Sequence, residues 1–369
     1  MLENYRLRNY NFKLLILVLI AGVFGTIMIN SADSSYLKKQ VVGLCICLIG
    51  LIVLSLIDYK FISKFYVILY GINLVLLACV LLFGASANGA TRWLGSDDFI
   101  KVQPAEFSKI ILIICAAHFL SEHKDNINTF KTLAKYAILC AIPLALIAAQ
   151  PDLSTTIDIF VILFAMLFVA GLSYKIIGIG LLCLIPLAGS FLWYIQQPNP
   201  LFFQDYQVKR ILSFLYPEDY TSTTQYQQDN SIMAIGSGQL WGKGLNSSTL
   251  ATVKDANLIS EQQTDFIFSV VGEELGFVGS ILIIVILGLI VVQCIRTARK
   301  ANDDMGMFIA TGVATLIGFQ TFINIGVATA LLPNTGIPLP FISYGLSSLV
   351  SSCAAIGLVM NISLQRRKY

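Results

Sequence analysis

The sequence predicts an all-α polytopic membrane protein with about ten transmembrane helices, and three observations predict it. Hydrophobic residues make up 56% of the 369-residue chain and charged residues only 12%, against about 25% charged in a soluble domain. Mean hydropathy is +0.77. Apolar runs of about 17–25 residues, long enough to cross a bilayer, recur from one end of the chain to the other. Residues 1–369 are therefore read as a single integral membrane domain. The formal net charge of +3 is small and points to no nucleic-acid partner.

Taken in order, the runs give spans at 14–29, 41–57, 65–83, 107–120, 133–149, 153–172, 176–195, 266–292, 307–332 and 341–362. The first follows Arg6, Arg8 and Lys13 without a small-residue cleavage site, so it reads as a span and not a removable leader. The fourth is short, and Gln103-Pro104 extends it, because proline suits the first turn of a helix. Only Gln150-Pro151-Asp152 separates the fifth and sixth, which makes them a tight hairpin. The seventh and eighth are joined by a long polar loop, about 196–265.

Orientation follows from the basic residues. With the N-terminus in the cytoplasm, fifteen of the 24 Lys and Arg fall inside and nine outside, although the outer loops are far longer. Ten spans return the C-terminus to the cytoplasm, where Arg366, Arg367 and Lys368 agree. The unusual polar motifs then gather on the outer face, which excludes chemistry that needs cytoplasmic nucleotide. Gly236-Ser-Gly-Gln-Leu-Trp-Gly-Lys-Gly244 has the wrong spacing for a phosphate loop and ends in Gly where Ser or Thr would hold magnesium. The eight cysteines all lie in or beside apolar runs and read as small hydrophobes. His118 and His123 flank a helix end, and no Cys/His spacing resembles a zinc site.

Five stretches carry the candidate chemistry. In Asn88-Gly-Ala-Thr-Arg-Trp-Leu94, Arg92 offers a planar donor fork for phosphate and Trp93 suits an interface belt or a sugar face. In Gln103-Pro-Ala-Glu-Phe-Ser-Lys109, Glu106 and Lys109 share a helix face. Charges inside a span must be paired or line a cavity, so the pair is either a structural ion pair or part of a polar cavity. Asp152 stands at a helix mouth, where it either caps the helix or faces a ligand. Asp158, deeper in the same span, has no assigned role. Within the long loop, Tyr206-Gln-Val-Lys-Arg-Ile211 supplies Lys209 and Arg210 beside aromatic and amide side chains, a mixture that suits a sugar–pyrophosphate ligand and also occurs in ordinary ordered loops. Last, Gln262-Gln-Thr-Asp-Phe-Ile-Phe268 places Asp265 at the mouth of an apolar run, followed by the buried pair Glu273 and Glu274. A carboxylate at such a boundary is partly desolvated, which raises its pKa and suits a general base. The alternative is an ordinary acid at a helix N-terminus.

Together the motifs NGATRWL, VQPAEFSK, QPDLST, YQVKRI, MAIGSGQLWGKG, TDFIFSVVGEELGFVG and LLPNTGIPLPFISYGLSS, in this order over nearly the whole chain, resemble the RodA/FtsW/SpoVE (SEDS) family. The short termini and TGIPLPFISYG lean toward the RodA branch, while NGATRWL is close to the division branch. The resemblance implies a ten-helix peptidoglycan glycosyltransferase of the bacterial cytoplasmic membrane. Such an enzyme polymerises lipid II at the outer face during elongation, division or sporulation and releases undecaprenyl pyrophosphate. It works beside a class B penicillin-binding protein. The resemblance maps the essential acid to Asp265 and further functional positions to Trp93, Glu106, Lys109 and Asp152. Lys39 matches a basic position in the first outer loop. Arg92, Lys109, Lys209 and Arg210 would face the pyrophosphate, and a divalent cation, Mg or Mn, could share that task. Ala105, Ser154 and Leu346 depart from the family pattern, and Leu346 adds bulk where the last span begins. The alternatives are a lipid II flippase, or a scaffold that only holds the penicillin-binding protein.

Overall fold

The computed structural model describes residues 10–365 apart from 88–89, 96–100, 198–204, 217–222, 247–251, 255 and 257. Asn88 and Gly89 of the first motif, and the terminal basic residues Arg6, Arg8, Arg366, Arg367 and Lys368, lie outside the described residues.

All ten expected spans are helices: α1 (Phe12–Ala32), α2 (Leu37–Leu56), α4 (Tyr66–Phe83), α5 (Pro104–Glu122), α6 (Phe130–Ala149), α7 (Leu153–Val169), α8 (Tyr174–Ile195), α11 (Ile267–Arg299), α12 (Asp304–Ala328) and α13 (Leu346–Leu364). Nine of them are long and apolar enough to cross a membrane; α7, at 17 residues, is shorter. The protein is an integral membrane protein. Three short helices join them: α3 (Tyr59–Ser63) between α2 and α4, and α9 (Asp205–Leu215) and α10 (Thr223–Ser237) in the long loop. Strands β1 (Ala85–Ala87) and β2 (Ala90–Trp93) form an antiparallel hairpin after α4.

The sequence reading needs three corrections here. The tenth helix starts at Leu346, not at 341, because residues 333–345 form an irregular segment. Its backbone is satisfied from outside and from within: Asn324 of α12 donates to the Ile337 carbonyl at 2.8 Å, and the segment's own Ser343 hydroxyl accepts from the Leu339 N–H at 2.8 Å. The long loop is helical in part, which its polar composition concealed. And α11 is not continuous.

That break in α11 organises the long loop. Gly276 has φ +65, outside the helical range. Breaking a helix within a bundle orphans carbonyls and amides that need new partners, and the turn after α10 supplies them. The Glu273 and Glu274 carbonyls accept from the Lys243 and Gly244 N–H groups at 3.0 and 2.9 Å. The Phe277 and Val278 N–H groups donate to the Gln239 and Leu240 carbonyls at 2.8 and 3.2 Å. The buried carboxylates of the Glu pair fasten the same turn: Glu273 pairs with Lys243 and Glu274 with Lys254, both at 2.7 Å. The Gly236–Gly244 stretch is thus a backbone plug. It needs glycine, since a Cβ on Gly238 would sit 1.9 Å from the Gly272 carbonyl oxygen and one on Gly242 2.1 Å from that of Glu274. Gly238→Ala is therefore expected to lower stability by about 1–3 kcal/mol. A detergent melt, with faster proteolysis of the long loop, checks it.

The helices α5, α12 and α13 lie at the centre of the bundle, with most of α5 and α13 enclosed, whereas the apolar window of α8 has no buried residue. Leu346 finds room at the α2–α13 contact because it packs on Gly43, where a Cβ would come within 2.4 Å of it. At one end of the bundle Tyr59 and Lys60 hold Asp303, at 2.8 and 2.7 Å, and Lys124 holds Asp304 at 2.6 Å. The opposite end gathers the turns that carry the motifs.

Candidate active site

Asp265 ends a turn that runs into α11. The Thr264 and Phe266 N–H groups both donate to the Glu261 carbonyl, at 3.3 and 3.4 Å. Asn324 donates to the Asp265 carbonyl at 2.8 Å while also holding Ile337. The Ser343 hydroxyl donates to the Thr264 carbonyl at 2.6 Å, and the Tyr344 N–H to that of Gln263 at 2.9 Å. The turn is therefore sewn to the irregular 333–345 segment. Gly336 in that segment, at φ +76, lies under the carboxylate: a Cβ there would stand 3.3 Å from Asp265 Oδ2 and 3.9 Å from Arg210 Nη1. Glycine lets the carboxylate and the α9 guanidinium approach the same point of backbone.

Asp265 is half-buried, and its carboxyl is pushed up to about 6. Burial is the main cause, since desolvation disfavours the charged form. Arg210 opposes it, Glu261 adds to it and Arg92 opposes it. Of the basic residues anticipated for the site, Arg92 and Arg210 thus act on Asp265. Lys39 and Lys209 do not belong to that set of charges; both are exposed, on α2 and α9.

Arg92 extends from β2 to the α6–α7 hairpin. Its Nη2 donates to the Pro151 carbonyl at 2.5 Å, and its Nη1 lies 3.7 Å from Asp152 Oδ1. Asp152 also caps α7, accepting from the Thr155 N–H at 3.2 Å, and its Oδ2 accepts from the Thr155 hydroxyl at 2.9 Å and from Gln103 at 3.3 Å. Asp152 therefore has two structural roles, as the cap of α7 and as the partner of Arg92. They are separable. Asp152→Asn keeps a capping oxygen and removes the charge facing Arg92, so it is expected to melt like the wild type while turning over more slowly. Asp152→Ala is expected to lose about 0.5–2 kcal/mol of stability as well. Trp93, half-buried beside Arg92, pairs with Ala85 across the hairpin.

Deeper in the bundle, Lys109 meets Glu106 at 2.7 Å and Asp158 at 3.5 Å, all three buried. Asp158 also accepts from Gln320 of α12 at 2.8 Å. The anticipated pair is thus a triad joining α5 and α7, tied to α12 through Gln320, and it gives Asp158 its partner. Ser154 donates to the Thr335 carbonyl at 2.7 Å, next to Gly336, so the hydroxyl that departs from the family pattern is accommodated. Sequence reasoning missed Gln320, Asn324 and Glu261. The first two had a signal: two amides four residues apart within an apolar span mark one polar face.

Among the described residues no group of three or more His, Cys, Asp and Glu could hold a metal ion. Asp152 and Asp265 each face an arginine, and Glu106 and Asp158 share Lys109. This donor set does not make a resident cation site.

The cell cycle protein family model of FtsW, RodA and SpoVE matches residues 10–368. The chain is a member of the FtsW/RodA/SpoVE family. A probable peptidoglycan glycosyltransferase FtsW from Geobacter metallireducens is 35% identical, over 98% of this chain and 96% of that one. Stage V sporulation protein E of Bacillus subtilis is 35% identical, over 96% and 97%. The peptidoglycan glycosyltransferase MrdB of Escherichia coli K12 is 31% identical, over 96% and 93%. Among solved structures, a chain of a peptidoglycan synthase complex that coordinates polymerization and crosslinking superposes with TM-score 0.80 at 28% identity, covering 96% of this chain and 97% of that one. The rod shape determining protein RodA of Thermus thermophilus superposes with TM-score 0.70 at 26% identity, over 98% of each. Division, sporulation and MrdB relatives of this family lie within a few per cent of one another, so the lean toward the RodA branch finds no support.

Proposed function

We propose that this chain polymerises lipid II at the outer face of the bacterial cytoplasmic membrane, with Asp265 as general base. The chain is a peptidoglycan glycosyltransferase, the activity that the names of its end-to-end relatives carry. The observation that carries the mechanism is the meeting of a desolvated carboxylate with Arg210 over Gly336. A carboxyl near 6 is mostly ionised at neutral pH and basic enough to take a proton as a bond forms. In the proposed step the acceptor hydroxyl of lipid II attacks the anomeric carbon of the donor strand. Asp265 receives the hydroxyl proton, and the bond to undecaprenyl pyrophosphate breaks. Arg92 and Arg210 stand where negative charge grows on the leaving pyrophosphate. The lipid tails enter sideways from the bilayer.

A class B penicillin-binding protein is the proposed partner, supported by the match to a complex that joins polymerization to crosslinking. Purified protein with that partner, its transpeptidase blocked, is expected to convert lipid II in detergent into a ladder of long glycans on a denaturing gel. Lipid II that crosses vesicle membranes without any ladder would make the chain a flippase instead.

A further inference from the structure

A second polar space opens beside the Asp265 turn. It is a cavity of about 900 Å³ between the α1–α2 turn and the end of the long loop, bordered among others by Asn30, Asp33, Tyr36, Glu261, Gln262 and Gln263. Its size lies within the range of about 300–1,000 Å³ typical of ligand pockets. Glu261, Gln262 and Gln263 belong to the same turn whose last residues carry Asp265. The cavity and the carboxylate are therefore held by one piece of backbone. Tyr36 packs its ring on Tyr344, centroids 4.5 Å apart, and Tyr344 is bonded to that turn.

The chemistry of this space differs from that at Arg92 and Arg210. Among the described residues its lining contains no lysine or arginine. Lys254 approaches from beneath, bonding Ser31 and Asn246 at 3.1 and 3.0 Å, but Glu274 matches its charge at 2.7 Å. A pyrophosphate would find no cation here. The carboxylates are each tied to their own turn: Asp33 accepts from the Ser35 N–H at 2.9 Å and Glu261 from the Thr264 hydroxyl at 3.3 Å. What remains is amides, hydroxyls and an aromatic ring, the groups that recognise uncharged sugars. Gln262 carries the sharpest sign. It is only 5% exposed, its Nε2 donates to the Ala32 carbonyl at 3.3 Å, and its Oε1 has no hydrogen-bond partner. A buried amide oxygen left so is costly unless something donates to it.

We infer that this cavity is a subsite for the sugar units of the glycan strand, holding residues that lie beyond the reacting pair at Asp265. The inference rests on the glycosyltransferase reading above and extends it. Asp265 with Arg92 and Arg210 handles the reacting sugars and pyrophosphate, and the cavity grips uncharged units further along. A polymerase that grips its strand keeps it between additions, so the subsite sets strand length.

The test uses the full chain with its penicillin-binding partner. Ser34, exposed in the turn that borders the cavity, is changed to Trp to fill the space, and Gln262→Leu removes the buried acceptor. Two readouts are taken. One is the length distribution of glycan made from lipid II. The other is binding of a soluble GlcNAc tetrasaccharide, which carries no charge, pyrophosphate or stem peptide, followed by saturation-transfer NMR. Expected are a several-fold shorter median strand from both variants, with short products still made, and a tetrasaccharide signal that Ser34→Trp abolishes. Strand lengths that superimpose on wild type, or a tetrasaccharide signal that Ser34→Trp leaves intact, would overturn the subsite. If the wild type binds tetrasaccharide yet makes no glycan, the subsite stands and the polymerase reading falls. The melting temperature of each variant separates a filled cavity from a lost fold.

Discussion

Asp265→Asn is expected to reduce glycan synthesis by at least about 10²–10⁴-fold, the usual contribution of a positioned general base. Asparagine keeps the shape of the side chain and cannot take a proton at neutral pH. The backbone ties of the turn, from Asn324 and Ser343, run through carbonyl groups and survive the change. The variant should therefore fold and still bind its partner. It also relieves the desolvation of a half-buried charge, so its melting temperature should equal or exceed that of wild type. A gel of product formed against time, beside a melt of the same sample, checks both. Charge-neutral loss of activity with a preserved fold would separate this residue from an ordinary acid at a helix mouth.

The second large effect is on stability. Lys109→Met is expected to destabilise the bundle by about 3–5 kcal/mol, because removing one member of a buried ion network leaves the others uncompensated. Here two carboxylates, Glu106 and Asp158, lose the one cation they share. Methionine fits the volume, so packing is not the cause. If so, the triple change Glu106→Gln, Lys109→Met and Asp158→Asn should recover much of the loss. Thermal denaturation in detergent, read by size-exclusion chromatography, measures it. Recovery of stability without recovery of glycan synthesis would assign the triad a part in turnover beyond holding α5, α7 and α12 together.

Much of the fold was legible in the sequence because membrane helices announce themselves by length. All ten runs became helices, and even the short turn at Gln150-Pro151-Asp152 is where the apolar pattern placed it. The residues proposed for the site stood out where charge met an apolar background, as at Asp265, Glu106, Lys109 and Asp152. What stayed hidden depends on contacts between distant segments. Nothing local marks Gly276 as a break in α11, since its cause lies in the backbone of residues 239–244, which fill the gap. Glu273 and Glu274 resemble a functional pair until Lys243 and Lys254 are seen beside them. Lys209 and Arg210 are neighbours in sequence and cannot be told apart by type, yet only Arg210 of the two acts on Asp265. Asp158 had no role until Lys109 and Gln320 reached it from two other helices.

The pH dependence of kcat/KM for lipid II polymerisation, from pH 5 to 8, tests the central claim most directly. The base must be ionised to work, and its carboxyl is held at about 6. The rate should therefore fall as pH drops through about 6, with the slope of a single proton, and Arg210→Gln should move that limb upward because a cation that favours the ionised form is gone. A rate that stays flat across this range, from a protein whose Asp265→Asn variant also makes long glycan, would contradict the assignment of Asp265 as the base.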